Sequence, residues 1–260
     1  RTGRARMSSV PGHELSGVVI HLGFGTAGLR VGQRVVGMAD WARNGALAEY
    51  VAVEARNLTP LPADVDDVLA AAIPIAGLTA WQGLFDHGKL NAGQTVLIHG
   101  VAGAAASFAV QLARQAGAYV IGTGSAKDRE PAAELGVDVF IDLEHECLED
   151  AGQVDLLFDT VGGEILLQRS AALVRAGGTL VTTVRPTHAR PVDGRAVFFV
   201  AEPDRHRLAD LVQRVREGRL KHAVGAVCSL AEAAAELAAS SCMRGKTIIR
   251  PTADASSESS

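Results

Sequence analysis

Cysteine is scarce: the 260 residues hold three, Cys147, Cys228 and Cys242. Three distant thiols, an odd number, exclude both a disulfide framework and a four-cysteine zinc site. A long hydrophobic run is also missing. The longest, Leu69 to Phe85, is broken by Pro74, Gly77 and Gln82, which argues against a membrane-spanning helix. Positive charge is not in excess: the net charge is −4 and the pI about 6.1, against a broad nucleic-acid surface. No Gly-x-Ser-x-Gly elbow is present, which disfavours a serine hydrolase. Arg1, Arg4 and Arg6 are followed by no apolar stretch of the signal-peptide kind. The expectation is a soluble, cytoplasmic protein. The opening residue is Arg rather than Met, as in a fragment or processed form. What the chain does have is 48% hydrophobic and 21% charged residues, enough for a substantial core and unlike a disordered chain.

Three zones follow one another. Residues 1 to about 62 are rich in Gly and Val, with short strands expected at 17–20, 33–37 and 47–53, a small β module closed by Pro60 and Pro62. Residues 64–88 have a helical pattern restarted at Pro74. From Thr95 apolar strands alternate with helices: strands at 95–99, 119–121, 139–141, 154–158, 179–182 and 196–200, helices at 104–116, 127–135 and 164–173. Strands that are apolar throughout and separated by helices specify a parallel sheet covered on both faces. The fold class is therefore α/β, a Rossmann-type doubly wound parallel sheet. Two amphipathic helices (204–217 and 230–239) and a strand at 246–250 end the ordered part, and the polar tail 251–260 is expected to be disordered.

After the first strand of the sheet comes Gly100-Val-Ala-Gly103-Ala-Ala-Ala-Ser107, running into a helix. A glycine at a tight turn, small residues and a helix N-terminus suit a pyrophosphate. The spacing is not an ideal GxGxxG, and the plainer reading is a small-residue helix packed tightly on its sheet. At the end of the second strand, where an acid would grip a ribose diol, stand Thr123, Ser125, Lys127 and Arg129, with Asp128 among them. A hydroxyl and cations attract a 2′-phosphate, so the cofactor read here is NADPH; the competing reading is a solvated helix start. Asp159 to Gly163, after the fourth strand, lies where a turn meets the ligand crevice.

These blocks, together with Pro11-Gly-His-Glu-Leu-Ser-Gly17, Gly45-Ala-Leu-Ala-Glu-Tyr-Val51, Ala76-Gly-Leu-Thr-Ala-Trp-Gln82 and Arg244-Gly-Lys246, resemble the medium-chain dehydrogenase/reductase superfamily. The nearest branch is the zinc-independent quinone oxidoreductase, or zeta-crystallin-like, group. The resemblance covers about residues 10–250. It implies a partial GroES-like catalytic domain over 1–75, a Rossmann NADPH-binding domain over 76–203 and a return to the catalytic domain over 204–250. It implies zinc-independent hydride transfer from NADPH to a quinone or an α,β-unsaturated carbonyl. The alternatives are an enoyl-thioester reductase and a non-catalytic or structural paralogue that binds NADPH without turnover. By position, Thr79 would lie near the nicotinamide phosphate, Gly100, Ala102, Gly103 and Ala104 at the pyrophosphate, and Ser125 and Lys127 at the 2′-phosphate. Val184 and the backbone of Phe198, Phe199 and Val200 would line the nicotinamide, Val161 would meet the cofactor from the turn after the fourth strand, and Arg244 and Lys246 would close the cleft. Three departures stand out: relatives carry further strands before the Pro11 block, Ala104 and Ala106 replace glycine at the phosphate turn, and Leu143 replaces a tyrosine near adenine.

His13 and Glu14 sit where zinc-dependent relatives bind metal, but the further ligands catalytic zinc needs are not evident, so turn hydrogen bonds are expected of them. Cys147 lies among Glu144, Glu146, Glu149 and Asp150, which raise a thiol pKa and make a poor nucleophile. His99, at a strand end, reads as a satisfied structural histidine. No catalytic residue is assigned. The strand 196–200 would lie bare and apolar at the sheet edge, so two copies are expected to pair there as a homodimer.

Overall fold

The structure is a computed structural model and describes residues 10–239 and 245–251. The expected disordered tail beyond Pro251 lies outside the described residues. The chain forms two compact units: Ala76–Glu202 with Gly218–Lys221, and the stretches up to Ile75, Pro203–Glu217 and from His222.

The first unit is a six-stranded parallel sheet. After β1 (Glu14–Val18), β2 (Arg34–Met38) and β3 (Leu58–Pro60) of the other unit, the strands of this sheet in chain order are β4 (Thr95–His99), β5 (Tyr119–Gly124), β6 (Val139–Asp142), β7 (Val154–Asp159), β8 (Val174–Thr182) and β9 (Arg195–Phe198). Their order across the sheet is β6-β5-β4-β7-β8-β9. The order reverses at β4, whose two neighbours are β5 and β7. The carboxyl ends of β4 and β7 therefore flank the topological switch point, where ligands bind in such sheets. Val96, Leu97 and Ile98 of β4 are fully buried because residues on both faces are covered, which is why the strand is one apolar run. Helix α3 (Ala104–Gln115) buries Phe108, Ala109, Leu112 and Ala113, while α4 (Arg129–Leu135) stops at Gly136 with φ +96°, the left-handed C-cap glycine favours. Helix α5 (Glu164–Ala171) precedes β8. Strand β8 starts at Val174 rather than 179, with an irregular register against β7 between Val154 and Leu156, and β9 is the sheet edge.

The second unit holds an antiparallel sheet in the order β1 (Glu14–Val18), β2 (Arg34–Met38), β3 (Leu58–Pro60), and a parallel pair, β10 (Val224–Ser229) with β11 (Lys246–Arg250). Asp66 caps α1 (Asp67–Ala71) and Asp204 caps α6 (Arg205–Arg216), each accepting first-turn amides. The stripe Leu208, Leu211, Val212, Val215 is the buried face of α6. Helix α7 (Ala233–Ala239) follows β10, and α2 (Pro74–Trp81) begins at the expected Pro74 and from Ala76 onward belongs to the first unit.

Two expectations are corrected. Residues 47–53 are not a strand; Tyr50 is 72% exposed there, and the third strand of the sheet is instead Leu58–Pro60, held to β2. The alternation at 47–53 mimics a strand, but without a ladder partner the pattern has nothing to pair with. Strand β10, with no fully buried residue, was not anticipated, because a half-buried strand without a continuous apolar run resembles coil.

Candidate functional site

The turn after β4 is built by Gly100, whose φ of +73° is left-handed and whose Cα faces Val161 so closely that a Cβ would lie 2.4 Å from Val161 Cγ2. The amides of Gly100 and Val101 both donate to the Thr123 carbonyl, tying the turn to β5, and Gly103 N donates to Gly100 O. Gly103 is the N-cap of α3, and its missing side chain accepts no helix amide. The first-turn N–H groups at Ala104 to Ala106 therefore have no intrahelical acceptor, and the positive end of the helix dipole faces outward with them. A twelve-residue helix opening on a bare glycine cap fits a phosphate. Ala102 and Ala104 flank the cap half-buried, whereas Ala106 is fully buried in the core, so its methyl does not narrow the turn.

Thr123 is enclosed; its hydroxyl meets His99 Nδ1 at 2.8 Å, and it contributes its carbonyl to the turn. His99 Nε2 lies 2.7 Å from Ser170 Oγ, which itself donates to Leu166 O. The Ser170 oxygen must then accept, which fixes the Nε2–H tautomer and leaves Nδ1 to accept from Thr123. Burial pushes the His99 pKa down to about 4, with the Asp159 charge opposing. This is the satisfied structural histidine expected.

At the end of β5, Ser125 and Asp128 form a capping box: Ser125 Oγ and N both donate to Asp128 Oδ2, at 2.7 and 3.0 Å. The serine of the expected 2′-phosphate pocket thus shares its place with a carboxylate. Lys127 is exposed beside it, while Arg129 is committed to Glu146 and lies over the Phe140 ring. Leu143, after β6, is half-exposed.

The turn after β7 carries Thr160, whose hydroxyl donates to His99 O, and Val161, 55% exposed. Gly162 packs against Val184, 37% exposed, so closely that a Cβ would lie 2.9 Å from it. Phe198 is partly exposed at the end of β9, Phe199 is buried against His87, Val200 is half-buried, and Thr79 is buried on α2. Gly100, Val161 and Val184 are thus brought together on one rim. Lys246, in the second unit, is ion-paired with Glu14, whose carboxylate also accepts Ile75 N. Glu14 therefore sits on a strand and in an ion pair rather than in a turn, and His13 stacks on Trp41 at 4.8 Å. Arg244 lies outside the described residues. Two polar residues at strand ends, Asp159 and Thr182, were not assigned a role from sequence; a carboxylate closing an apolar strand was the available signal.

Among the described residues, the His, Cys and carboxylate groups near enough to share a cation are Asp142, Glu144 and His145, at the end of β6, where the Asp142 carboxylate already meets His145 Nδ1 and accepts the backbone amide of Glu144. The Cys147 thiol is exposed, and its hydrogen bond to Glu149 raises its pKa. No described helix is long and apolar enough to cross a membrane.

Comparison with known proteins agrees with this architecture. Residues 1–63 match the family described as alcohol dehydrogenase GroES-like domain, and residues 135–249 the family described as zinc-binding dehydrogenase. The chain is 38% identical over 176 residues to the spectinabilin polyketide synthase system protein NorB of Streptomyces orinoci, a match covering 65% of this chain and 8% of that protein. It is 32% identical over 184 residues to an NADPH-dependent alkenal/one oxidoreductase of Arabidopsis thaliana, covering 67% of this chain and 47% of that one. The chain thus spans about half the length of this reductase, and far less of the synthase. The solved quinone oxidoreductase of Coxiella burnetii superposes with a TM-score of 0.84 at 29% identity, over 94% of this chain and 80% of that one. The GroES-like N-terminal match, the doubly wound sheet and these relatives together make the chain a member of the medium-chain dehydrogenase/reductase superfamily, in its quinone oxidoreductase-like group.

Proposed function

We propose that this chain is a zinc-independent oxidoreductase that uses NADPH to reduce a small electrophile, a quinone or an α,β-unsaturated carbonyl. The observation that carries the reading is the bare-capped helix α3 opening at the switch point of the sheet. The amides from Ala102 to Ala106 would hold the pyrophosphate, Ser125 and Lys127 the 2′-phosphate, and Thr79, Val161, Val184 and the backbone of 198–200 the nicotinamide half. A bound nicotinamide supplies the hydride. The chain's own part is to orient and to exclude water: Val161 and Val184 offer an apolar wall, and no strong acid or base is required of the protein for an activated acceptor. The names of the Arabidopsis and Coxiella relatives support this substrate class. The polyketide synthase match favours a second reading, an enoyl-thioester reductase.

The test is NADPH oxidation by the purified chain with a quinone, an alkenal and an enoyl thioester. Turnover with the first two is expected. Preference for the thioester selects the second reading, binding without turnover selects a non-catalytic protein, and neither binding nor oxidation overturns all three. The bare edge of β9, with Val197 half-buried and Phe198 partly exposed, supports a homodimer joined edge to edge; a monomer mass in sedimentation at micromolar concentration would refute it.

A further inference from the structure

Asp159 ends β7 with no exposed surface at all. A buried carboxylate is costly unless hydrogen bonds or a cation compensate it. None of the ion pairs among the described residues involves Asp159, and the nearby His99 is neutral near pH 7 because burial lowers its pKa to about 4. The compensation comes from dipoles. Asp159 Oδ1 accepts Val161 N at 3.1 Å and Gly162 N at 2.9 Å, and Oδ2 accepts the Thr182 hydroxyl at 2.7 Å. Thr182 Oγ1 in turn accepts Val184 N at 3.4 Å, and Asp159 O accepts Thr183 N at 3.1 Å. One residue therefore holds the turn after β7 and the turn after β8 together. The packing repeats the connection: Val161 presses on Gly100, and Val184 on Gly162.

We infer that Asp159, acting through Thr182, is a positioning residue that sets Val161 and Val184 as the wall for the nicotinamide half of the cofactor. This rests on the proposed cofactor reading. The charge has a definite task. It orients the Thr182 O–H toward itself, which leaves the Thr182 lone pairs for Val184 N–H. An asparagine in its place offers one oxygen for the turn amides and one NH2 to Thr182, so the threonine hydroxyl must turn round and compete with Val184 N–H.

The test compares the purified chain with Asp159→Asn, Thr182→Val and Thr182→Ser by fluorescence titration, using NADPH and, separately, 2′,5′-ADP, which lacks the nicotinamide half. Asp159→Asn and Thr182→Val are expected to weaken NADPH about tenfold, while 2′,5′-ADP stays within about twofold and Thr182→Ser restores NADPH affinity. Faster amide hydrogen exchange at Val161, Gly162 and Val184 should accompany the loss. If Asp159→Asn does not fold, Thr182→Val carries the same test. Equal weakening of both ligands would mean a general structural role, and unchanged NADPH affinity would mean no role; either overturns the inference while leaving the cofactor reading intact. A wild-type chain that binds neither ligand overturns the cofactor reading and this inference with it.

Discussion

The two units handle buried polarity differently. In the parallel-sheet unit His99, Thr123, Ser170, Asp159 and Thr182 are enclosed, and each finds a partner within the same unit. In the other unit His13 Nε2, Glu54 Oε2 and Asn57 Nδ2 are buried without a hydrogen-bond partner among the described residues. That unit also carries a groove of about 1240 Å³, lined by β1, the 46–55 segment and β11. Its strands β1, β10 and β11 have no fully buried residue, whereas β4 and β7 are buried almost throughout. The polar groups enclosed at the strand ends of the parallel sheet are thus satisfied within their own unit, while the antiparallel sheet of the other unit borders a groove and buried polar atoms that lack a hydrogen-bond partner among the described residues.

The largest effects should come from the dense unit. Phe158→Ala, which empties a fully buried site against Gly83, is expected to destabilise by about 3–5 kcal/mol. Val18→Ala on β1, 55% exposed, should cost about 0.5 kcal/mol or less by the same chemical denaturation. Equal losses would break the contrast.

Acid should strike the dense unit next. His99 has its folded pKa depressed to about 4 from 6.5, so the unfolded chain binds the proton more readily. The stability His99 contributes is present above pH 6.5 and is lost as pH falls toward 4, about 3 kcal/mol in all. Urea midpoints followed over that range should fall, and His99→Gln should flatten the slope. An unchanged slope would show that His99 is not the source.

Smaller effects sharpen the comparison. Glu14→Gln removes one partner of the half-buried pair with Lys246 and should cost about 1–2 kcal/mol, read as a shift in denaturation midpoint. Asp128→Asn removes the carboxylate that Ser125 shares and should raise the NADPH-to-NADH affinity ratio by about threefold, since a like charge beside a phosphate is relieved. A ratio that does not move would place the phosphate away from Ser125.

The sequence made the dense unit readable and the open one less so, for a physical reason. Strands covered on both faces become runs such as Val96 to Ile98, and the βα rhythm then fixes the doubly wound class and the turn at Gly100. Val224–Ser229 has no fully buried residue and no continuous apolar run, and Leu58–Pro60, though two of its residues are buried, is only three residues long and ends on a proline, so neither carries a strand signal, while the segment 47–53 alternates without a partner to pair with. Within the site, chain spacing could bring Ser125 and Asp128 to one turn but could not reveal that they hydrogen-bond. The meeting of Asp159 with Thr182 joins positions 23 residues apart on neighbouring strands, and only the parallel register of β7 and β8 makes them partners.

Calorimetric titration of the unaltered chain with NADPH and with NADH addresses the proposal most directly. Saturable binding at one site per chain, tighter for the phosphorylated nucleotide, is the expected result. Heat no greater than dilution for both, or tighter binding of NADH, would contradict it.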